Sequence, residues 1–234
     1  MIAFQSVTKF PGDNPKRPPI LADADFVVEK GQTVGVLVKR GAGRSTIAGL
    51  INGNVKPNRG AVVHGMSVSW PIASRQIFNK ALTLRANIRF LAELYGAWPP
   101  EMIEAVASMA NLRRQDLDKP VVKLPDELHN RSVVSLCLAL DFDCYVADEN
   151  LFLGNRAFRD YVQQRFADMK GEKSLAIVTG KVQFIRDFCD AAYVLQSGSL
   201  KSYSRKGEAI RDFKRAEQPG AEADAEGEDS EDLE

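Results

Sequence analysis

The residues best suited to chemistry fall in two short clusters roughly a hundred positions apart. The first is Val38-Lys39-Arg40-Gly41-Ala42-Gly43-Arg44-Ser45-Thr46, which continues the apolar run Val34 to Val38. That run reads as a buried strand, and the segment from about Ser45 to Asn52 reads as a helix. Strand, glycine-bearing turn and helix in this order make a phosphate cradle, because backbone N–H groups and the positive end of the helix converge on an anion. Such loops have the pattern G-x-x-x-x-G-K-[ST]. Here Val38 stands at the first glycine, Gly43 at the second, Arg44 at the lysine and Ser45 at the hydroxyl. The candidate phosphate-binding residues are therefore Gly41, Ala42, Gly43, Arg44, Ser45 and Thr46. Arg44 keeps the positive charge and can grip phosphate as a fork, although its head is larger and planar. Val38 brings a Cβ to a turn that usually wants glycine.

The second cluster is Asp148-Glu149, at the end of the apolar run Cys144-Tyr145-Val146-Ala147. After a phosphate loop, an acidic pair at a strand end suits metal-assisted phosphoryl chemistry. Asp148 would reach a Mg²⁺ ion together with Ser45, and Glu149 would polarise an attacking water. The alternative is a solvated acidic pair.

The 234 residues suffice for one domain with a tail. Residues 1–218 read as the domain and 219–234 as an acidic, disordered tail. From Pro219 onward there are eight acidic residues and no basic one, so 31 basic against 23 acidic residues leave +8 on residues 1–218. A segment with so little to bury repels itself. It either solubilises the chain or makes an electrostatic contact with the chain's own basic surface or with a partner. No apolar run approaches 18 residues, and the N-terminus lacks the character of a secretion signal. Cys137, Cys144 and Cys189 are scattered without metal spacing and read as buried thiols in a reducing compartment. No basic helix with interleaved aromatics suggests nucleic-acid binding.

Around these clusters the pattern alternates. Ile2, Phe4, Val7 and Phe10, then Phe26 to Val28, read as antiparallel strands, and short strands come next at Ala61–Val63 and Met66–Trp70. Helices are expected over 83–96, from Glu101 to about Asn111, over Asn130–Leu140, Arg156–Met169 and Val182–Cys189. A buried strand runs from Ser174 to Thr179, and Ala192–Leu200 reads as a hairpin. Strands alternating with helices imply a mainly parallel α/β sheet.

Several segments carry a family likeness: Gly41-Ala42-Gly43, Pro57-Asn58-Arg59-Gly60, Val68-Ser69-Trp70-Pro71, Leu82-Thr83, Asn87-Ile88-Arg89-Phe90, Leu94-Tyr95-Gly96 and Ala139-Leu140-Asp141-Phe142-Asp143. With them the chain resembles the ATP-binding subunits of ABC transporters, in particular those that export capsular polysaccharide and O-antigen-type lipopolysaccharide. The likeness covers roughly residues 1–203. It implies the ABC form of the P-loop NTPase fold, with a parallel core sheet, an antiparallel β subdomain and a helical subdomain over roughly 80–140. It implies Mg and ATP as ligands, a membrane permease as partner, contacted near 84–95, and a homodimer or a heterodimer with another ATP-binding subunit. The location implied is cytoplasmic, peripheral on the inner face of the cytoplasmic membrane.

Position by position, the resemblance also implies losses. The signature segment reads Leu124-Pro125-Asp126-Glu127-Leu128, with proline for the serine and a carboxylate where a glycine should approach the triphosphate. That carboxylate is repelled by phosphate. As an ordinary helix start, Asp126 would be the cap and Glu127 would lie in the first turn. The switch-histidine position holds Gly180. The Q-loop glutamine aligns with Asn79, although Gln76 is close. The segment after Glu149, Asn150 to Gly154, lacks the family's aspartate. Phe10, and less readily Phe4, would stack on adenine if not part of the core. Two functions fit: an exporter subunit whose ATP hydrolysis is weak or lost, or a non-hydrolytic ABC-fold regulator or scaffold of polysaccharide export. Whether the chain is an enzyme is left open, an intact ATPase of unusual design being the third reading.

Overall fold

The computed structural model describes residues 1–148 and 154–217. Glu149, residues 150–153 and the tail lie outside the described residues. The strands are β1 (Ile2–Lys9), β2 (Leu21–Val28), β3 (Thr33–Leu37), β4 (Arg59–His64), β5 (Val68–Pro71), β6 (Cys144–Ala147), β7 (Ser174–Thr179), β8 (Ala191–Gln196) and β9 (Ser199–Tyr203). The helices are α1 (Arg44–Ile51), α2 (Leu84–Leu94), α3 (Pro99–Met109), α4 (Arg114–Leu117), α5 (Asp126–Ala139), α6 (Arg156–Asp168), α7 (Val182–Phe188) and α8 (Lys206–Glu217).

Two sheets result. One is antiparallel, in the order β2-β1-β4; the other runs β5-β6-β7-β3-β8-β9 and is parallel except for β9. Strand alternation decides where each apolar side chain goes. Val34, Val36 and Val38, with Cys144, Val146, Ala176 and Val178, join Phe4, Phe26 and α1 in one core. Their neighbours Leu37, Tyr145, Ala147, Leu175 and Ile177 face the other way, into a larger core with the helices. A strand buried on both faces has to be apolar at every position, which is why these runs lack alternation in the sequence. Each fully buried Val or Leu contributes about 1.5–3 kcal/mol. Gly35 lets α7 approach closely: a Cβ there would lie 2.1 Å from Ile185 Cδ1 and 2.8 Å from Cys189 Sγ, so those side chains would have to shift.

Three details depart from the sequence pattern. α5 starts at Asp126, four residues before the expected Asn130, and Pro125 rather than Asp126 occupies the cap position without a side-chain cap bond. α8 has no counterpart among the expected helices; Ala209, Ile210 and Phe213 bury one narrow stripe of an otherwise polar helix. Val38 does not strain the loop, because its backbone stays out of the left-handed region. It prolongs β3 instead, with its N–H donating to the Thr179 carbonyl over 2.9 Å and its side chain fully buried.

All three cysteines are buried and unpaired. Burial pushes each thiol up to about 12.

Candidate functional site

The parallel strands carry their loops to one edge. Leu37 pairs with Thr179 and Ala147 with Ile177, so the C-terminal ends of β3, β7 and β6 stand side by side. Open parallel sheets bind ligands at that edge. The loop after β3 turns on Gly41 and Gly43, both left-handed (φ +82° and +101°), and Gly43 caps α1. A Cβ on Gly43 would also meet Ile20 Cγ2 at 2.4 Å, so this position is closed to other residues twice over. The Ile47 N–H donates to the Gly43 carbonyl over 2.9 Å and starts the helical ladder. The preceding N–H groups at a helix start have no acceptor within the helix and suit an anion.

A cavity of about 490 Å³ opens here, lined by Arg44, Ser45, Pro71, Gln76, Asp148 and Val178 among others. It brings together residues from the ends of β3, β5, β6 and β7. A guanidinium suits phosphate oxygens. A hydroxyl and a carboxylate are hard oxygen donors of the kind Mg²⁺ takes. The donor set therefore fits a magnesium–phosphate ligand. A second cavity, of about 790 Å³, is lined by Lys39, Gly41, Ala42, Pro19, Gln196 and Ala216 among others. Thr46 is half-buried in the first turn of α1 and lines neither cavity.

The structure places the other candidate residues as follows. Asn79 does not line the first cavity; Gln76 does. Asn79 is instead tied to buried Asn87, its N–H donating to Asn87 Oδ1 over 2.7 Å and its carbonyl accepting from Asn87 Nδ2 over 3.0 Å. It thus secures the start of α2. Phe4 is core, 5.0 Å from the Phe26 ring. Phe10 is half-buried and lines neither cavity; its N–H donates to Asn58 Oδ1 over 2.8 Å.

The segment at the signature position closes on its own chain. Leu124 is buried, Leu128 half-buried, and Pro125, Asp126 and Glu127 are exposed. Arg75 pairs with Asp126 and donates from Nε to His129 Nδ1 over 3.3 Å. The Arg75 guanidinium holds the Asp126 carboxyl below its ordinary value. Burial, and then the charge of Arg75, lower the His129 ring. Glu127 lies 3.6 Å from Arg131. Gly180 comes directly after β7 and presents no side chain; next to it the Lys181 N–H donates to Thr179 Oγ1 over 2.9 Å. Arg75 and Lys39 are the site residues that sequence reasoning does not single out. Their roles arise from tertiary pairing, which leaves no local signal.

The family-like segments also meet in space. The rings of Trp70, Tyr95 and Phe142 pack as a triad, with centroids 5.7 Å, 5.5 Å and 5.4 Å apart. Three separate motifs thus form one aromatic cluster joining β5, the end of α2 and the turn before β6.

Among solved structures, the ATP-binding cassette MJ0796 superposes with a TM-score of 0.74 over 88% of this chain and 99% of its own, at 17% identity. An ATP-binding subunit of an ABC transporter gives a TM-score of 0.76 over 92% and 93%, at 19% identity. The fold is therefore that of an ATP-binding cassette. The capsule polysaccharide export ATP-binding protein CtrD of Neisseria meningitidis serogroup B is 31% identical over 184 residues, 79% of this chain and 85% of that protein. The ATP-binding protein BexA of Haemophilus influenzae is 28% identical over 211 residues, 90% of this chain and 97% of that one. No protein-family model matches. The chain belongs to the family of ABC-transporter ATP-binding proteins, alongside those of capsule polysaccharide export.

Proposed function

We propose that this chain is the nucleotide-binding subunit of an exporter of capsular or related cell-surface polysaccharide, and that it holds Mg-ATP while hydrolysing it slowly or not at all. Residues 1–218 would form the nucleotide-binding domain, with a helical part over roughly 80–140. It would work at the inner face of the cytoplasmic membrane with a permease and a second ATP-binding subunit, either another copy or a homologue. Among the described residues no helix is long and apolar enough to cross a membrane, so a permease would have to supply the pathway.

The observation that carries the reading is the cavity shared by Arg44, Ser45, Gln76 and Asp148. Arg44 would bind the terminal phosphates. Ser45 and Asp148 would hold the magnesium ion, which when bound neutralises phosphate charge. Gln76 would sit beside them. Glu149 would be the water-polarising group if turnover occurs. Against fast turnover, Gly180 offers nothing to bridge water and γ-phosphate, and Asp126 and Glu127 would set carboxylates at the start of α5, where a partner's triphosphate would approach. One well-placed transition-state donor is worth about 3 kcal/mol, so several losses together cost many orders of magnitude in rate.

The ion pairs of Asp126 with Arg75 and of Glu127 with Arg131 favour the second reading, a regulator or scaffold that binds nucleotide without using it. Titration of Mg-ATP against thermal unfolding tests the site. Binding raises stability by RT ln(1 + [L]/Kd). Ser45→Ala and Asp148→Asn should shrink the rise, and a flat response of the wild type at millimolar nucleotide would refute the site. ATPase assays with Glu149→Gln then separate the readings: robust turnover abolished by that change excludes the non-hydrolytic one.

A further inference from the structure

We infer that Lys39 is a positioning residue for the phosphate-binding loop: its ammonium, held by the last turn of α8, fixes the turn that presents the loop amides, and takes no phosphate itself. The inference rests on the nucleotide-binding reading of that loop.

The loop is secured at both ends. The Val38 N–H donates to the Thr179 carbonyl over 2.9 Å, and the Gly43 carbonyl accepts from the Ile47 N–H over the same distance. Between these points the Ala42 N–H donates to the Lys39 carbonyl over 3.1 Å, which closes a turn from Lys39 to Ala42. Gly41 stands third in it, with φ +82°, the left-handed conformation that a type II turn demands at that position. Arg40, Gly41 and Ala42 are exposed, so packing does little to hold the turn. The Lys39 side chain supplies the missing hold, because its ammonium donates to the Ala216 carbonyl. Ala216 lies in the last turn of α8, where carbonyls lack a donor within the helix and the helix dipole favours a cation.

Helix α8 is a firm anchor. Ala209, Ile210 and Phe213 are buried against the body. The Gln196 amide donates to Asp212 over 3.2 Å, and the Tyr203 hydroxyl donates to the same carboxylate. The Lys206 ammonium donates to the Arg186 carbonyl over 2.6 Å.

The two cations that bracket the loop glycines belong to different cavities. Arg44 lines the 490 Å³ cavity with Ser45 and Asp148. Lys39 lines the 790 Å³ cavity with Gln196 and Ala216, and does not line the first. Arg44 is thus placed for phosphate, and Lys39 for the backbone that surrounds it. If a loop freed from α8 keeps the binding turn in only about one molecule of ten, apparent nucleotide affinity falls about tenfold.

The test compares the full-length wild type with Lys39→Met, Lys39→Arg, Phe213→Ala and the double variant Lys39→Met/Phe213→Ala. Asp212→Ala replaces Phe213→Ala if the latter does not fold. Hydrogen exchange of the loop amides, 39–46, is measured without nucleotide, and Mg-ATP affinity by calorimetry. In Lys39→Met the loop amides should exchange faster and affinity should fall about tenfold. Lys39→Arg, whose fork still reaches the carbonyl, should restore most of both. Phe213→Ala should reproduce the loss by loosening α8. The double variant should be no worse than the poorer single one, because both changes break one connection. A lysine that grips phosphate directly would instead give losses that add. Unchanged exchange in Lys39→Met, additive losses, or no rescue by arginine would each overturn the proposal. If no chain binds Mg-ATP, the nucleotide reading fails, and the exchange pattern alone decides whether α8 holds the loop.

Discussion

Arg75 donates from Nε to His129 Nδ1 over 3.3 Å while pairing with Asp126 at the start of α5. Arg75 is the neighbour of Gln76, so one side chain ties the cavity wall to the helix that begins at the signature position. The Phe78 ring stacks on the imidazole at 5.8 Å and 16°, closing its other side. Such a site favours neutral imidazole, and burial lowers the ring below 6.5. Above that value both folded and unfolded chains carry neutral imidazole. As pH falls below 6.5 the unfolded chain takes a proton that the folded one resists, so stability declines until the lower folded pKa is passed. Asp126 acts in a separate, more acid window: its carboxyl is held below 3.8, and the stability from its pairing is lost as pH falls from there. Urea midpoints should therefore drop between pH 7.5 and 5.5, and His129→Gln should flatten that part of the profile. An unchanged slope in the variant would refute this assignment.

Trp70, Tyr95 and Phe142 hold the family-like segments together, and aromatic pairs at these distances add about 0.5–1.5 kcal/mol beyond burial. Trp70 is 8% exposed. Removing its side chain should cost about 3–5 kcal/mol, with Trp70→Phe costing less. Guanidinium unfolding checks both. A loss below 1 kcal/mol for Trp70→Ala would mean that the cluster does not anchor β5 to the end of α2.

How far the fold is legible depends on the kind of signal. Val34 to Val38, Cys144 to Ala147 and Leu175 to Val178 are runs without a polar side chain, and strands of a covered parallel sheet need them. Thr83 capping α2, with Ile88 and Leu91 buried behind it, is equally local. The site is legible where the loop is contiguous, at Gly41 to Ser45. It is not legible where side chains 51 residues apart decide, as with Arg75 and Asp126. Alignment favours Asn79, but Asn79 is drawn to Asn87 and leaves the cavity wall to Gln76. Val38 breaks the loop pattern without breaking the loop, because its backbone stays out of the left-handed region. Helix α8 leaves little trace in the sequence because its buried stripe is so narrow.

Gly43 is the loop residue least open to change. A side chain there meets both a left-handed backbone and Ile20. Gly43→Ala should cost about 1–3 kcal/mol from backbone strain alone. Adding Ile20→Ala removes the collision but leaves the strain, so the pair should recover only part of the stability that Gly43→Ala loses beyond Ile20→Ala itself. Thermal unfolding with and without Mg-ATP measures both effects. Full recovery of stability and nucleotide response in the double variant would show that the left-handed turn is dispensable. Arg44→Lys, which restores a narrower head at an unstrained position, should instead enlarge the Mg-ATP shift.

The exposed end of α2 bears on the proposed permease. Phe90 is 61% exposed, Leu94 65% and Trp98 65%. Phe90 and Leu94 are four residues apart and so share one helix face. Trp98 comes just beyond, in the turn before α3. Large apolar groups gathered in the open mark contact with a partner or a membrane. They are also free of the fold's own energetics, since exposed positions away from special features change stability by about 0.5 kcal/mol or less. Phe90→Glu combined with Trp98→Glu should therefore leave the melting temperature nearly unchanged while abolishing co-purification with a co-expressed polysaccharide-export permease. Val63→Glu, on β4 of the antiparallel sheet, serves as the control and should retain the permease. If the double variant still co-purifies, the permease docks elsewhere. If it unfolds, these side chains support the helix rather than a partner.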